Sequence, residues 1–151
     1  MSTPMQQYAS FVLDGMQFGV DVAHVQEVLR LHQYTPVPLA RREVLGLMNL
    51  RGQISPALDL RARLGLTPRL PGGVLPTVVV HRGEEAVGLV VDAIADVHAL
   101  AVDAGVPPPP TIPAHLRPYV TAVHSLEAGL LLVLDLDAVL TFDPTHRTES
   151  T

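Results

Sequence analysis

The sequence predicts a mainly β protein of two similar lobes packed around a shared core, joined by short helical turns. Three observations carry that expectation. The 151 residues include eleven glycines and fourteen prolines, enough turn formers to cut the chain into many short elements. Apolar residues make up 48% and charged ones 17%, against about 25% charged in an average globular protein, so the chain is built to bury a core. The apolar runs are strand-sized, the longest being Gly129 to Leu134, and the second half of the chain echoes the first.

Tyr8 to Leu13, the turn Asp14-Gly15 and Met16 to Val22 read as a β-hairpin. Asp21 is then an expected N-cap, and Val22, Val25, Val28 and Leu29 fall at helical spacing for about two turns. Pro36-Val37-Pro38 ends that element. Val44 to Leu50 turns at Asn49 to Gly52 and returns through Ile54 to Leu60, with Pro56 implying an edge strand or a bulge. Asp59 to Leu64 reads as one helical turn, and Thr67 to Gly73 as a loop. Leu75 to His81 and Ala86 to Val91 form a second hairpin about Arg82-Gly83-Glu84, and Asp92 to Val97 reads as a short helix. Val106 to Pro118, with four consecutive prolines at 107–110, is expected to be exposed and polyproline-like. Tyr119 to Val123 and Leu130 to Leu134 are the last strands, and Asp137 to Leu140 a final helical turn.

The repeat is explicit. Phe18 to Val28 lines up with Val87 to Val97, with Gly88 lying 69 positions after Gly19. Ile54 to Leu64 lines up with Leu130 to Leu140, sharing Leu-Asp-Leu at 58–60 and 134–136, at an offset of 76. The expected organisation is one unit over residues 8–140, with lobes at 8–66 and 75–140 and frayed tails at 1–7 and 144–151. A lobe of about 60 residues is marginal alone, so the two are expected to fold together.

Composition removes several chemistries. With no cysteine there is no disulfide framework, thiolate metal site or thiol nucleophile. All ten basic residues are arginine, so a P-loop lysine or a Schiff base has no residue to build it. A net charge of −5 without a basic cluster opposes nucleic-acid binding. No run is long enough to span a membrane, and Met1 to Gln7 lacks the features of a signal peptide, so a cytoplasmic protein is expected.

Asp135 and Asp137, two apart at a strand end, form a candidate carboxylate pair for acid–base work or a divalent metal. The competing reading is an N-cap, since Asp59 holds the equivalent position to Asp135. Seven histidines (24, 32, 81, 98, 115, 124 and 146) show no metal-site spacing, although Asp92, Asp96 and His98 are close in sequence. The turn Asn49-Leu50-Arg51-Gly52 remains. Asn49 and Gly52 tolerate positive φ, so Arg51 would sit on a stiff hairpin, suited to bidentate pairing with a carboxylate such as Glu27. An ordinary surface arginine is the alternative.

These residues resemble the CheW family of chemotaxis adaptors. The resemblance runs from about Tyr8 to Leu140 and includes Phe18 to Asp21, Val25 to Val28, Val37-Pro38, Gly46 to Arg61, Val87 to Asp92 and Leu131 to Leu140. The Asn-Leu-Arg-Gly to Asp-Leu-Arg block is the most specific part. The resemblance implies two SH3-like five-stranded β-barrel subdomains around a shared core, no enzymatic activity and no cofactor. It implies two partners, the cytoplasmic tip of a methyl-accepting chemoreceptor and a CheA-type histidine kinase, met at membrane-associated arrays without membrane insertion. The positions matching the receptor groove are Val22, Val25, Glu27, Arg51 and Ile54. The kinase-binding residues stay unassigned. A related adaptor of a pilus or gene-regulatory pathway shares the same implication, whereas a small metal-dependent hydrolase using Asp135 and Asp137 is the alternative from a different class.

Overall fold

A computed structural model describes residues 3–69 and 73–141. Ten strands and two short helices follow one another: β1 (Met5–Leu13), β2 (Met16–Asp21), β3 (Val25–Leu31), β4 (Val44–Leu50), β5 (Gln53–Asp59), α1 (Leu60–Arg63), β6 (Leu75–Arg82), β7 (Glu85–Val90), β8 (Ala93–Ala101), β9 (Val120–Leu126), β10 (Gly129–Leu134) and α2 (Leu136–Leu140). They form two five-stranded sheets, ordered β8-β1-β2-β10-β9 and β3-β6-β7-β5-β4. An isolated bridge brings a loop back to the far edge of each: Val106 to Val123 in the first barrel, Thr35 to Leu47 in the second.

The repeat is therefore a repeat of chain, not of barrel. Matching β1–β5 to β6–β10 turns one sheet order into the other, so each barrel combines a hairpin from one half with three strands from the other. The expected lobes at 8–66 and 75–140 are corrected accordingly. The second barrel is nearly contiguous, whereas the first joins the β1–β2 hairpin to β8, β9 and β10. Pairing also begins at Met5, opposite Ala101, so residues 5–7 belong to a strand rather than a tail. The other expected tail, 144–151, lies outside the described residues.

Segments expected to be helical are strands in two places. Beyond a 3-10 turn at Val22–His24, which Asp21 caps through its side chain (2.9 Å to the Ala23 N–H), residues 25–31 extend as β3. Residues 93–101 likewise extend as β8. Each carries one extra residue opposite its partner, near Gln26 in β3 and near Ala95 in β8. A bulge resets the parity of a strand, and the resulting 3-and-1 spacing of apolar residues imitates a helix.

Pro56 lies in an inner strand, not at an edge. It tolerates that position because β5 pairs with β7 only over Ala57 to Asp59, beyond the proline. The proline-rich segment is anchored rather than free. Arg117 donates to the carbonyls of Pro109 (2.8 Å) and Pro108 (3.3 Å), and Ile112 and Leu116 are buried in the core.

One core joins the barrels: Phe11, Phe18 and Leu132 of the first meet Leu58, Val80 and Leu89 of the second. The second barrel has its own apolar filling, including Met48, Val79 and Val90. Inside the first barrel the matching places are polar. Ser10 replaces Val79 and His124 replaces Met48, both buried, and the Gln17 amide lies 3.2 Å from Ser10 Oγ and 3.1 Å from His98 Nε2. Thus His98 pairs with an amide and does not converge with Asp92 and Asp96.

Candidate functional site

The β4–β5 hairpin closes through Arg51 and Gly52, with φ of 54° and 86°. Two left-handed residues match the twist of the flanking strands, and Gly52 adopts that conformation without steric cost. Asn49 does not, contrary to expectation. Its side chain instead accepts the Gly52 N–H at 2.9 Å, bracing the turn. The positive φ falls on Arg51, where a side chain costs about 1 kcal/mol.

The turn aims Arg51 at the far edge of the same sheet. Its Nη2 lies 3.3 Å from Oε2 of Glu27 on β3, so the two residues singled out from the sequence do meet. The pairing is a single ionic contact without hydrogen-bond geometry, not the expected two-pronged fork. Arg51 is 79% exposed while Glu27 is 21% exposed, and Glu27 Oε2 is buried without a hydrogen-bond partner. An under-satisfied carboxylate beneath an exposed guanidinium is a place where another polar group can gain a contact. Around this corner, Val22 and Val25 are half-buried, Val25 against the shared core, and Ile54 is 65% exposed opposite Asn49.

The resemblance implied a groove between the barrels, but the residues that line the seam groove are not the five expected there. A cavity of about 590 Å³ runs along the seam between the barrels, lined by Val28 and Leu29 of β3, Val74, Pro76, Asp92 and Ile94. Val28, Val74 and Ile94 keep large exposed apolar surfaces there. Two of the three lie on segments read as helices, so their outward orientation was hidden. The repeat was the available signal, since it places Ile94 where Val25 stands.

The seam is braced on that side by an ion pair. Arg61 of α1 donates from Nε to Asp92 Oδ1 (2.8 Å) and from Nη2 to Oδ2 (2.7 Å), a fork geometry. This hydrogen bonding from Arg61 holds the Asp92 carboxyl below the usual carboxylate range, and the same pairing raises the Arg61 guanidinium. Arg63 reaches the last carbonyls of α2, donating to Val139 (2.8 Å) and Ala138 (3.0 Å), with its guanidinium 5.2 Å from the Tyr119 ring centre.

Asp135 acts as a cap, accepting the Ala138 N–H at 3.2 Å, and Asp59 does the same for α1 at 3.1 Å from the Arg61 N–H. Burial pushes the Asp59 carboxyl up. Asp135 and Asp137 line a mixed cleft of about 400 Å³ with Asp21, His24 and His81, but among the described residues no group of three His, Asp or Glu is placed to hold a metal ion. His146 lies outside those residues. Among the described residues no helix is long and apolar enough to cross a membrane.

A pair of fused barrels offering an ion-paired corner and an apolar seam is a scaffold for holding other proteins. Comparison makes this specific: residues 7–143 match the CheW-like domain, and the chain belongs to that family. It is 30% identical over 146 residues to the chemotaxis protein CheW of Rhizobium meliloti, covering 96% of this chain and 92% of that one. Protein FrzA of Myxococcus xanthus is 31% identical over 139 residues, covering 85% and 82%. The crystal structure of the scaffolding protein TtCheW from Thermoanaerobacter tengcongensis matches the fold with a TM-score of 0.82 at 23% identity, covering 96% of this chain and 98% of that one. The chain is thus a non-enzymatic chemotaxis adaptor that couples receptors to a CheA-type kinase, with the two SH3-like barrels expected from its sequence.

Proposed function

We propose that the receptor partner is the cytoplasmic helical tip of a chemoreceptor, received where the β4–β5 turn meets β3 by Val22, Val25, Glu27, Arg51 and Ile54 and continuing into the seam groove. The observation that carries this reading is the Arg51–Glu27 corner, an exposed guanidinium over a buried acceptor beside exposed Ile54. An amphipathic helix suits such a surface, with apolar positions toward Ile54 and Val28 and a polar one toward the ion pair. In this reading the adaptor works in the cytoplasm and joins membrane-associated arrays through its partners, with a CheA-type kinase on another surface.

The test is reconstitution. Receptor cytoplasmic fragments and a CheA-type kinase are combined with and without the adaptor, and kinase autophosphorylation is measured. Adaptor-dependent activation supports the reading. Equal activity with and without the adaptor contradicts it.

A further inference from the structure

We propose that Arg61 and Asp92 are positioning residues for partner capture: their fork fixes the angle between the barrels and with it the shape of the seam groove. This rests on the receptor reading above.

Asp92 stands where the chain passes from β7 in the second barrel to β8 in the first. Its backbone N–H donates to the Val12 carbonyl (3.0 Å), and its Oδ2 also accepts the Asp14 N–H of the β1–β2 turn (2.8 Å). Arg61, carried by α1 at the end of the second barrel, grips the same carboxylate and donates from Nη1 to the Thr67 carbonyl (2.8 Å). One carboxylate thus ties a turn of the first barrel to the helix of the second. Both side chains are largely shielded, with 18% and 26% exposure, so the pair is screened less than a surface contact. Asp92 also lines the groove beside Ile94, so any movement at the latch changes the groove directly.

The repeat supplies an internal control. At the equivalent crossover from β2 to β3, Ala23 occupies the place of Asp92 and Asp137 that of Arg61. There the seam carries a cleft of about 400 Å³ lined by Asp21, His24, Gly83 and Asp137, against about 590 Å³ on the side of the fork. One of the two crossovers is therefore formed without a fork. What the fork adds is a fixed geometry on the side where Val28, Val74 and Ile94 are exposed.

The experiment uses the full chain, which has no native cysteine. Ser125→Cys on β9 and Gln33→Cys after β3, both exposed and one on each barrel, carry spin labels for pulsed distance measurement. The labelled protein is expected to show one narrow distance population. Asp92→Asn and Arg61→Lys, which remove the charge or the fork with little change in volume, should each broaden it. Receptor-tip affinity should fall about tenfold at a temperature well below melting, and saturating receptor fragment should narrow the distribution again. That renarrowing separates a positioning role from simple destabilisation. Narrow distributions in both folded variants overturn the latch, and broad distributions with unchanged affinity overturn its positioning role. Failure of the unmodified protein to bind the receptor fragment overturns the receptor reading instead, while the distances still decide the latch.

Discussion

Arg51 and Glu27 face each other across opposite edges of one sheet, 3.3 Å apart, with the guanidinium in solvent and the carboxylate largely buried. Arg51 belongs to the β4–β5 turn and Glu27 to β3, so the contact spans the mouth of the second barrel. An exposed partner with one contact contributes little to folding, about 0.5 kcal/mol. Arg51→Ala should therefore melt within a few degrees of the parent while receptor-tip binding weakens about tenfold or more. Because the contact is single, Arg51→Lys should retain much of the binding. Calorimetric binding of all three proteins checks this, and a lysine variant as weak as alanine would restore the two-pronged reading.

The backbone at Arg51 gives a second, opposite expectation. Its φ of 54° is unfavourable for a side chain and natural for glycine. Arg51→Gly should hold or raise the melting temperature while losing receptor affinity as alanine does. A clear loss of stability would show that the side chain, not the turn, supports the hairpin.

Gly46 is predicted to be a folding-critical position. A Cβ there would overlap the Thr35 carbonyl oxygen, and that oxygen accepts the Leu47 N–H at 2.8 Å in the bridge closing the second barrel. The obstacle is backbone, so neither side can yield cheaply. Gly46→Ala should destabilise by about 2 kcal/mol or more, seen as a lower urea midpoint. An unchanged midpoint would show that the bridge is dispensable.

Acid stability should depend on Asp92. Its folded carboxyl titrates below the ordinary value of about 3.9, so the Arg61 pair contributes fully above that pH. The contribution is lost as pH falls through the lower folded value. Asp59 acts with the opposite sign: burial raises its carboxyl, and protonation relieves that penalty as pH falls through the raised value. Melting of the parent and Asp92→Asn from pH 7 to 2.5 should show a gap that closes below about pH 4. A gap constant across that range would contradict the assignment.

Hairpins and helix caps were legible in the sequence because their signals are local. Asp14-Gly15 makes a turn wherever it stands, and Asp59 and Asp135 cap whatever short helix follows. The strands β3 and β8 were not, since their bulges reflect pairing with β6 and β1. The interleaving of the halves was hidden for a related reason. Local spacing cannot say whether a hairpin pairs within its own repeat or with the other. At the site, Arg51 on its hairpin was legible from turn chemistry and Glu27 only as a candidate partner, whereas the residues lining the seam groove were not, because that groove arises only where β3 and the β7–β8 crossover approach.

In the proposed reading one face of this adaptor holds the receptor while another remains available to the kinase. Ile54 is 65% exposed, so Ile54→Glu leaves the core untouched while setting a charge against an apolar helix face. In co-sedimentation with receptor fragments and a CheA-type kinase, the parent should bridge both. Folded Ile54→Glu should lose the receptor and keep the kinase. Undiminished receptor binding by that variant would place the receptor on a different face.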